Sequence, residues 1–295
     1  MQLITGKTKL LGIIGDPVEH SFSPIMHNSA IASFGLDYVY VPFPVKKGDL
    51  ERALSGFSAI DLVGFSITIP HKQDIIPLLT EISDDAANIG AVNTVWRTVS
   101  GWKGTNTDVV GFVAPLKTMS QDWSKLTPVI LGNGGAARAV VAGLVNLGCQ
   151  EIHVVGRNPN QVAKFYESWQ HAPTIRSILK IHNWDNLSSL LPATDLLVNT
   201  TPVGMSPHID ASPINPALMQ KLKPRAIAYD LIYPPNPTQC LKLAHAQGAT
   251  AINGLEMLVQ QGVAALEIWL QQPAPVSVTR NSLKEYLGLK TINDQ

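Results

Sequence analysis

The chain has 295 residues, 45% hydrophobic and 15% charged, which suits a folded protein of about two domains and excludes extended disorder. Lys+Arg and Asp+Glu both number 22, and no basic stripe stands out, so nucleic acid and anionic membrane surfaces are excluded as main partners. Cys149 and Cys240, the only cysteines, read as buried thiols of a reducing compartment; with neither a signal peptide nor a run long enough to span a bilayer, the cytoplasm is the expected location.

Leu10–Gly15 reads as a first buried strand. The helix after it carries Ser23 as its cap and Pro24 in its first turn, with Ile25, Met26, Ile31 and Phe34 toward a core and Gly35 at its end. A capped helix start accounts for Ser23 but not for Ser21, a second hydroxyl able to face the same cleft beyond the strand. Tyr38–Val45 alternates as a strand does, Asp49–Phe57 is helical and Leu62–Ile69 is another strand, which puts Ser66 and Thr68 on one face. Pro70 ends it, and Lys72 falls in the first turn of a helix through Ile75, Ile76, Leu78 and Leu79. Positive charge is unfavourable at that end of a helix, so the lysine either has a functional task or simply reaches water. Gly90-Ala-Val-Asn-Thr94 runs from apolar into polar residues. In Gly104-Thr-Asn-Thr-Asp108, Asn and Asp suit local turn bonds. Asp108 also precedes the helix Val109–Met119, where as an N-cap it stands at the junction of two domains.

Val129–Leu131 is a short buried strand, after which Gly132, Gly134 and Ala137 match G-x-G-x-x-G/A with Gly135 as an extra glycine. A helix follows through Val140, Val141, Leu144, Val145 and Leu147, stopped by Gly148. Strand, glycine turn and helix in that order gather backbone N–H groups and a positive helix end at one point, where a pyrophosphate fits. A tight turn alone yields the same letters; the flanking pattern is what favours a dinucleotide. Ile152–Gly156 is the second strand of this unit. NAD sites place Asp or Glu at its end, whereas here stand Arg157, Asn158 and Pro159, with no carboxylate before Glu167. A guanidinium suits a 2′-phosphate, although a solvent-facing arginine looks the same in sequence.

Asn160–Gln170 is expected helical, Ser177–His182 extended and Leu187–Leu191 a short helix. Asp195–Met205 is a buried strand opening into a polar loop, with Thr200 and Thr201 on the cofactor side or serving the turn alone. Ser206–Pro216 reads as loop, Ala226–Tyr233 as strand, Pro234-Pro-Asn-Pro237 as a rigid turn and Leu241–Gln247 as helix. Thr250–Gly254 closes the sheet. The helix Leu255–Leu270 carries an apolar stripe of Leu255, Leu258, Gly262, Leu266 and Trp269, bordered by Gln261, and the tail beyond Thr291 is expected to fray. The eight histidines form no H-E-x-x-H, and no metal is expected. The fold class is α/β with two domains, an N-terminal α/β substrate domain and a Rossmann-like doubly wound nucleotide-binding domain.

Ser21-x-Ser23-Pro24, Thr68-x-Pro70-x-Lys72, Gly90-Ala-Val-Asn-Thr94, Asn106-Thr-Asp108 and Gly132-x-Gly-Gly-Ala136 together resemble the motif series of the shikimate dehydrogenases, in the same order. Each is common alone; the set in register is specific, and the resemblance runs from about Gly12 to Leu270. It implies reversible reduction of 3-dehydroshikimate to shikimate with NADPH. It puts Lys72 and Asp108 in the catalytic positions and Ser21, Ser23, Ser66, Thr68, Asn93, Tyr233 and Gln261 at the substrate. NADP is assigned to Gly132, Asn133, Gly134, Gly135, Ala136, Arg157, Thr200, Leu231 and Gly254. In the family the last long helix packs back onto the first domain, giving a discontinuous substrate domain, 1–108 with 255–295, around a coenzyme domain, 109–254.

Two departures stand out. Ser66 replaces the family's usual Asn, so one amide contact to a substrate hydroxyl is not carried over. Gly156-Arg157-Asn158 replaces Asn-Arg-Thr, so the coenzyme expectation rests on the arginine. The alternatives are a quinate/shikimate dehydrogenase using NAD, which an acidic residue near position 157 would have favoured, and a non-catalytic nucleotide sensor, which loss of Lys72 or Asp108 would have favoured. Expected partners are small molecules only, without nucleic acid or membrane; the oligomeric state is open, a homodimer among the arrangements allowed.

Overall fold

The computed structural model describes residues 3–289, so the expected fraying beyond Thr291 lies outside the described residues. The chain forms two compact units, Met1–Thr107 with Val259–Gln295, and Asp108–Leu258.

The first unit runs β1 (Lys9–Gly15), α1 (Ser23–Ser33), β2 (Tyr38–Pro44), α2 (Leu50–Ala59), β3 (Gly64–Ile67), β4 (Glu81–Ile82), α3 (Asp84–Ile89), β5 (Thr94–Thr98) and β6 (Gly101–Thr105). Its sheet has the order β2-β1-β3-β5-β6-β4, with β1 parallel to β2 and β3, and β5 antiparallel to β3 and β6. Because side chains alternate along a strand, Ile14, Phe65, Ile67 and Val95 bury one face with Leu54 and Phe57 of α2. Leu11, Ile13 and Tyr40 bury the other with Ala30 and Ile31 of α1.

Three local expectations are corrected here. No helix runs through Lys72: residues 69–75 are turns, followed by a 3-10 turn at Ile76–Leu78. A single α-type bond forms, from Ile75 N–H to the His71 carbonyl at 3.1 Å. Pro77 stops propagation, since it has no N–H to offer Gln73 and its ring collides with that carbonyl. Lys72 therefore gains no unfavourable helix end. Ser23 is not a cap but the first residue of α1; Phe22 holds the cap position without a side-chain bond. The Ser23 N–H points instead to Ser21 Oγ at 3.3 Å. The strand expected over Leu62–Ile69 is shorter, and Thr68 lies just past β3, its N–H still bonded to the Ile14 carbonyl at 3.0 Å.

The second unit runs α4 (Asp108–Lys117), β7 (Pro128–Leu131), α5 (Gly135–Asn146), β8 (Ile152–Gly156), α6 (Pro159–Glu167), α7 (Pro173–Ile178), β9 (Leu179–Asn183), α8 (Leu187–Leu190), β10 (Leu196–Asn199), α9 (Pro216–Met219), β11 (Ile227–Asp230), α10 (Gln239–Ala246) and β12 (Thr250–Ile252). Asp108 is thus the first helical residue of α4 rather than the residue before it, a shift within the usual ambiguity of helix ends. The segment expected extended from Ser177 begins as α7, which Pro173 starts from its first turn, and becomes strand only at Leu179.

All six strands of this unit are parallel, in the order β12-β11-β10-β7-β8-β9. A doubly wound dinucleotide fold runs outward in both directions from its central pair in this way, and its ligand crevice lies beyond the strand carboxyl ends where the order reverses. Here that point lies between β7 and β10. β7, β10 and β11 are buried along their whole length, as a sheet covered on both faces requires.

The chain leaves the second unit within α11 (Leu255–Leu270), and the last helix among the described residues, α12 (Val276–Tyr286), packs on α1 with Phe22 against Tyr286. The buried face of α11 is broader than the expected stripe: Leu258 is only half-buried, while Met257, Val259, Val263 and Ala265 are buried. Among the described residues no helix is long and apolar enough to cross a membrane, and no group of three or more His, Cys, Asp or Glu could hold a metal.

Candidate functional site

In the first unit the strand directions bring four connections to one edge of the sheet. β1 and β3 end there, β5 starts there because it is antiparallel to β3, and β6 ends there because it is antiparallel to β5. The register makes this concrete: Ile13 pairs with Ser66, Ser66 with Thr94, and Thr94 with Thr105. That edge therefore carries Ser21 and Ser23 after β1, Thr68 and Lys72 after β3, Asn93 before β5, and Asn106 and Thr107 after β6.

The Lys72 turn is pinned from three sides. The Lys72 carbonyl accepts from Val92 N–H at 2.8 Å, His71 N–H reaches the Thr68 carbonyl at 3.1 Å, and the buried His71 ring meets the Val45 carbonyl through Nε2 at 2.6 Å. Asn93 is 3% exposed, which makes its polar atoms a matter of full accounting. Its Oδ1 accepts from Thr107 N–H at 2.8 Å and from Thr94 Oγ1 at 3.0 Å, and its Nδ2 donates to Thr107 Oγ1 at 3.0 Å. Asn106 Nδ2 closes the cluster on the Ala91 carbonyl at 3.0 Å. Thr107 holds Asn93 as firmly as any neighbour, yet nothing in the sequence singles it out.

Ser23 and Ser66 are both buried, and the hydroxyls of both neighbour that of Tyr40 of β2. Burial raises the Tyr40 phenol well above its ordinary value. Its ring stacks on His27 at 4.3 Å, and burial lowers that imidazole to about 3, so it is neutral. Tyr40, the neighbour of Ser66, belongs to an aromatic cluster with His27 and Trp269 that the motifs do not reveal. Gln261, on α11, and Ser21 are half-buried.

In the second unit the glycine turn sits at the β7–β10 reversal point. Gly132 has φ +104°, a conformation open to glycine, and a Cβ there would lie 2.7 Å from Thr200 Oγ1. Thr200 donates both its N–H and its hydroxyl to the Leu131 carbonyl, at 3.0 and 2.7 Å. Gly134 caps α5 in extended conformation, and a Cβ on it would meet no protein atom within 4 Å. That open space lies at the start of a twelve-residue helix, where N–H groups are unpaired. A pyrophosphate fits there, and a side chain at 134 would occupy its place. Gly135 and Ala136 form the first turn of α5, and the Asn133 side chain lies over Gly156, at the end of β8.

Arg157 follows Gly156 and is exposed, while Asn158 caps α6 by accepting from Asn160 and Gln161 N–H at 3.0 and 3.3 Å. The arginine is thereby the residue left for a ligand at this strand end. Leu231 and Tyr233, half-buried, follow β11, and Gly254 lies on the Leu231 carbonyl so closely that a Cβ would collide with it. A buried carboxylate, Asp230, links these loops and was not among the expected site residues.

Comparison with known proteins agrees with this architecture. The shikimate dehydrogenase substrate-binding domain profile matches residues 13–95, the shikimate/quinate 5-dehydrogenase profile residues 116–258, and the shikimate 5′-dehydrogenase C-terminal domain profile residues 254–284. The chain is 60% identical to the shikimate dehydrogenase (NADP(+)) of Gloeothece citriformis, over 98% of this chain and 100% of that one. It is 61% identical to the enzyme of the same name from Trichormus variabilis, over 97% and 100%. The shikimate 5-dehydrogenase of Thermus thermophilus, solved with NADP(H) and shikimate, superposes with a TM-score of 0.82 at 31% identity, covering 94% of this chain and 99% of that one. With the serine pair, the Lys72 turn, the Asn93 cluster and the glycine cradle all present, the chain belongs to the shikimate dehydrogenase (NADP(+)) family.

Proposed function

We propose that this chain catalyses the reversible NADPH-dependent reduction of 3-dehydroshikimate to shikimate. The observation that carries this reading is the end-to-end kinship with enzymes of that name. The open space at Gly134 and the acid-free strand end at Arg157 support NADP as the coenzyme. In this reading residues 1–108 with 255–295 bind the substrate and residues 109–254 the coenzyme, and the enzyme works on small molecules in the cytoplasm. NADPH supplies the hydride.

The chain's own residues bind, orient and move a proton. Ser21 and Ser23 hold the substrate carboxylate, and Ser66, Thr68, Asn93, Tyr233 and Gln261 contact the ring hydroxyls. Lys72 donates a proton to the carbonyl oxygen as that oxygen gains negative charge, and takes it back in the reverse direction. Asp108 accepts a hydrogen bond from the same hydroxyl and keeps the ammonium in line. Arg157 would hold the 2′-phosphate, and Gly132, Asn133, Gly134, Gly135, Ala136, Thr200, Leu231 and Gly254 would line the rest of the dinucleotide.

A steady-state assay with shikimate and quinate, each against NADP and NAD, tests the assignment. We expect shikimate with NADP to give the highest kcat/KM by at least tenfold. Comparable turnover of quinate would move the chain to the quinate/shikimate class, and no oxidation of either would leave only a nucleotide-binding protein.

A further inference from the structure

Asp230 ends β11 fully buried. Burying a carboxylate is costly without a cation, yet among the described residues its hydrogen bonds all come from neutral donors. Oδ1 accepts from Asn199 Nδ2 at 3.0 Å and from Ile232 N–H at 3.1 Å, and Oδ2 accepts from Thr238 Oγ1 at 2.7 Å.

The bond to Asn199 decides which way that amide points. With Nδ2 committed to Asp230, its Oδ1 is free to accept from Thr201 N–H at 3.0 Å and Thr201 Oγ1 at 2.7 Å. A flipped amide would set donor against donor at Thr201 and oxygen against the carboxylate. Thr200, between these two residues, is the side chain that covers Gly132. On the other side Ile232 accepts Gly254 N–H at 3.1 Å. One carboxylate therefore joins the connection after β10, which runs beside the glycine turn, to the one after β11, one strand further out.

We propose that Asp230 is a positioning residue for coenzyme binding, holding the loops after β10 and β11 in register with the glycine turn through Asn199 and Ile232. The proposal rests on the dinucleotide reading of that turn. A neutral side chain of the same shape would avoid the burial penalty. What the charge adds is stronger acceptance, since hydrogen bonds to an ionised group are roughly twice as strong as neutral ones.

Burial pushes the carboxyl up to about 6, so protonation just below neutrality removes that advantage. The groups facing it are Asn199 from β10, Ile232 from the loop, and Thr238 and Cys240 from the start of α10. Of these only Cys240 titrates, and burial and then Asp230 itself push its thiol up to about 12.

The test is titration of the full chain with NADP+, read by protein fluorescence or calorimetry from pH 5 to 8, for the wild type and Asp230→Asn. The amide can still accept from Asn199 and Ile232, so the variant keeps the shape and lacks the charge. We expect its Kd for NADP+ to be about three- to tenfold higher at pH 8, with the two proteins converging by pH 5. The 2′-phosphate also titrates near 6, but equally for both proteins, so their ratio isolates Asp230. Equal Kd values at pH 8, or a ratio that does not change with pH, would overturn the proposal. If the wild type bound no NADP+ at any pH, the coenzyme reading would fail and this proposal with it.

Discussion

Thr200 stands where a methyl group on Gly132 would have to go: its Oγ1 is 2.7 Å from that position, and both its N–H and hydroxyl are committed to the Leu131 carbonyl. The side chain cannot swing aside without giving up a hydrogen bond, and Gly132 itself has φ +104°. Gly132→Ala should therefore lose about 1–3 kcal/mol of stability from strain and the displaced threonine. NADP+ affinity should fall tenfold or more because the cradle moves with it. Urea unfolding and coenzyme titration on the same preparation check both. An unchanged unfolding midpoint would mean that the turn relaxes freely.

Arg157→Ala should raise the KM for NADP at least tenfold and leave that for NAD nearly unchanged. The residue is exposed at the end of β8, with its neighbour Asn158 occupied in capping α6. A charge-assisted contact to the 2′-phosphate is worth roughly 1.5–3 kcal/mol, which sets the size of the effect. Equal losses with both coenzymes would make the arginine a support of the fold.

The features legible in the sequence are those in which backbone geometry dictates the residue. The glycine turn, the strand before it, the helix after it and β8 fall where the letters put them, because the left-handed φ of Gly132 favours glycine and the apolar runs around it suit buried strands and a buried helix. Lys72 shows the opposite. The apolar spacing around Ile75 and Leu78 suggests a helix, but Pro77 forbids it, and one residue outweighs the periodicity. The hairpin of β5 and β6 went unread because neither strand is a continuous apolar run: Arg97 interrupts the first, and Gly101, Lys103 and Gly104 the second. Asp230 went unread for another reason. Its partner Asn199 is 31 residues away, and a single carboxylate at the end of an apolar run looks like the strand's last residue.

Asn93→Ala should unfold at lower urea and lower kcat together. The truncation leaves the buried Thr107 N–H without its 2.8 Å acceptor, a loss of about 1–3 kcal/mol. Thr107 is bonded directly to Asp108, so its displacement reaches the carboxylate through one peptide. NADP+ affinity, measured by titration, should stay within about twofold. A selective loss of coenzyme binding would contradict the assignment of Asn93 to the substrate half.

Two buried groups should give opposite slopes of stability against pH. His27 is held near 3, below its unfolded value of about 6.5. The unfolded chain therefore binds the extra proton, and stability falls as pH drops from 6.5 toward 3, by about 5 kcal/mol in all. Asp230 is held near 6, above an unfolded value of about 3.9. There the folded chain binds the extra proton, and stability falls as pH rises from 4 to 6, by about 3 kcal/mol. His27→Leu should remove the first slope, since neither ring nitrogen has a partner among the described residues, and Asp230→Asn the second. Urea midpoints at intervals from pH 3 to 8 decide it; a His27→Leu profile parallel to wild type would show that another group drives acid unfolding.

Hydride delivery to a ketone leaves negative charge on oxygen, so the site needs a proton donor there. Lys72 is the lysine carried by the motifs that match the family, and its backbone is fixed by Val92 and by the buried His71 anchor. A turn held in this way orients an ammonium without the penalty of a helix end, which the corrected local structure removes. Asp108 is 6% exposed at the start of α4, in the segment whose preceding residue Asn93 clamps. Lys72→Ala should reduce kcat by about 10²–10⁴ with little change in KM, the usual size of general acid–base help. Asp108→Asn should also reduce kcat strongly, and the double variant should lose less than the product of the two, because groups acting on one proton are not additive. Steady-state kinetics with shikimate and NADP at fixed pH supply all four corners of that cycle. If Lys72→Ala raised KM and left kcat intact, the lysine would be a binding residue and the proton donor would have to be another group.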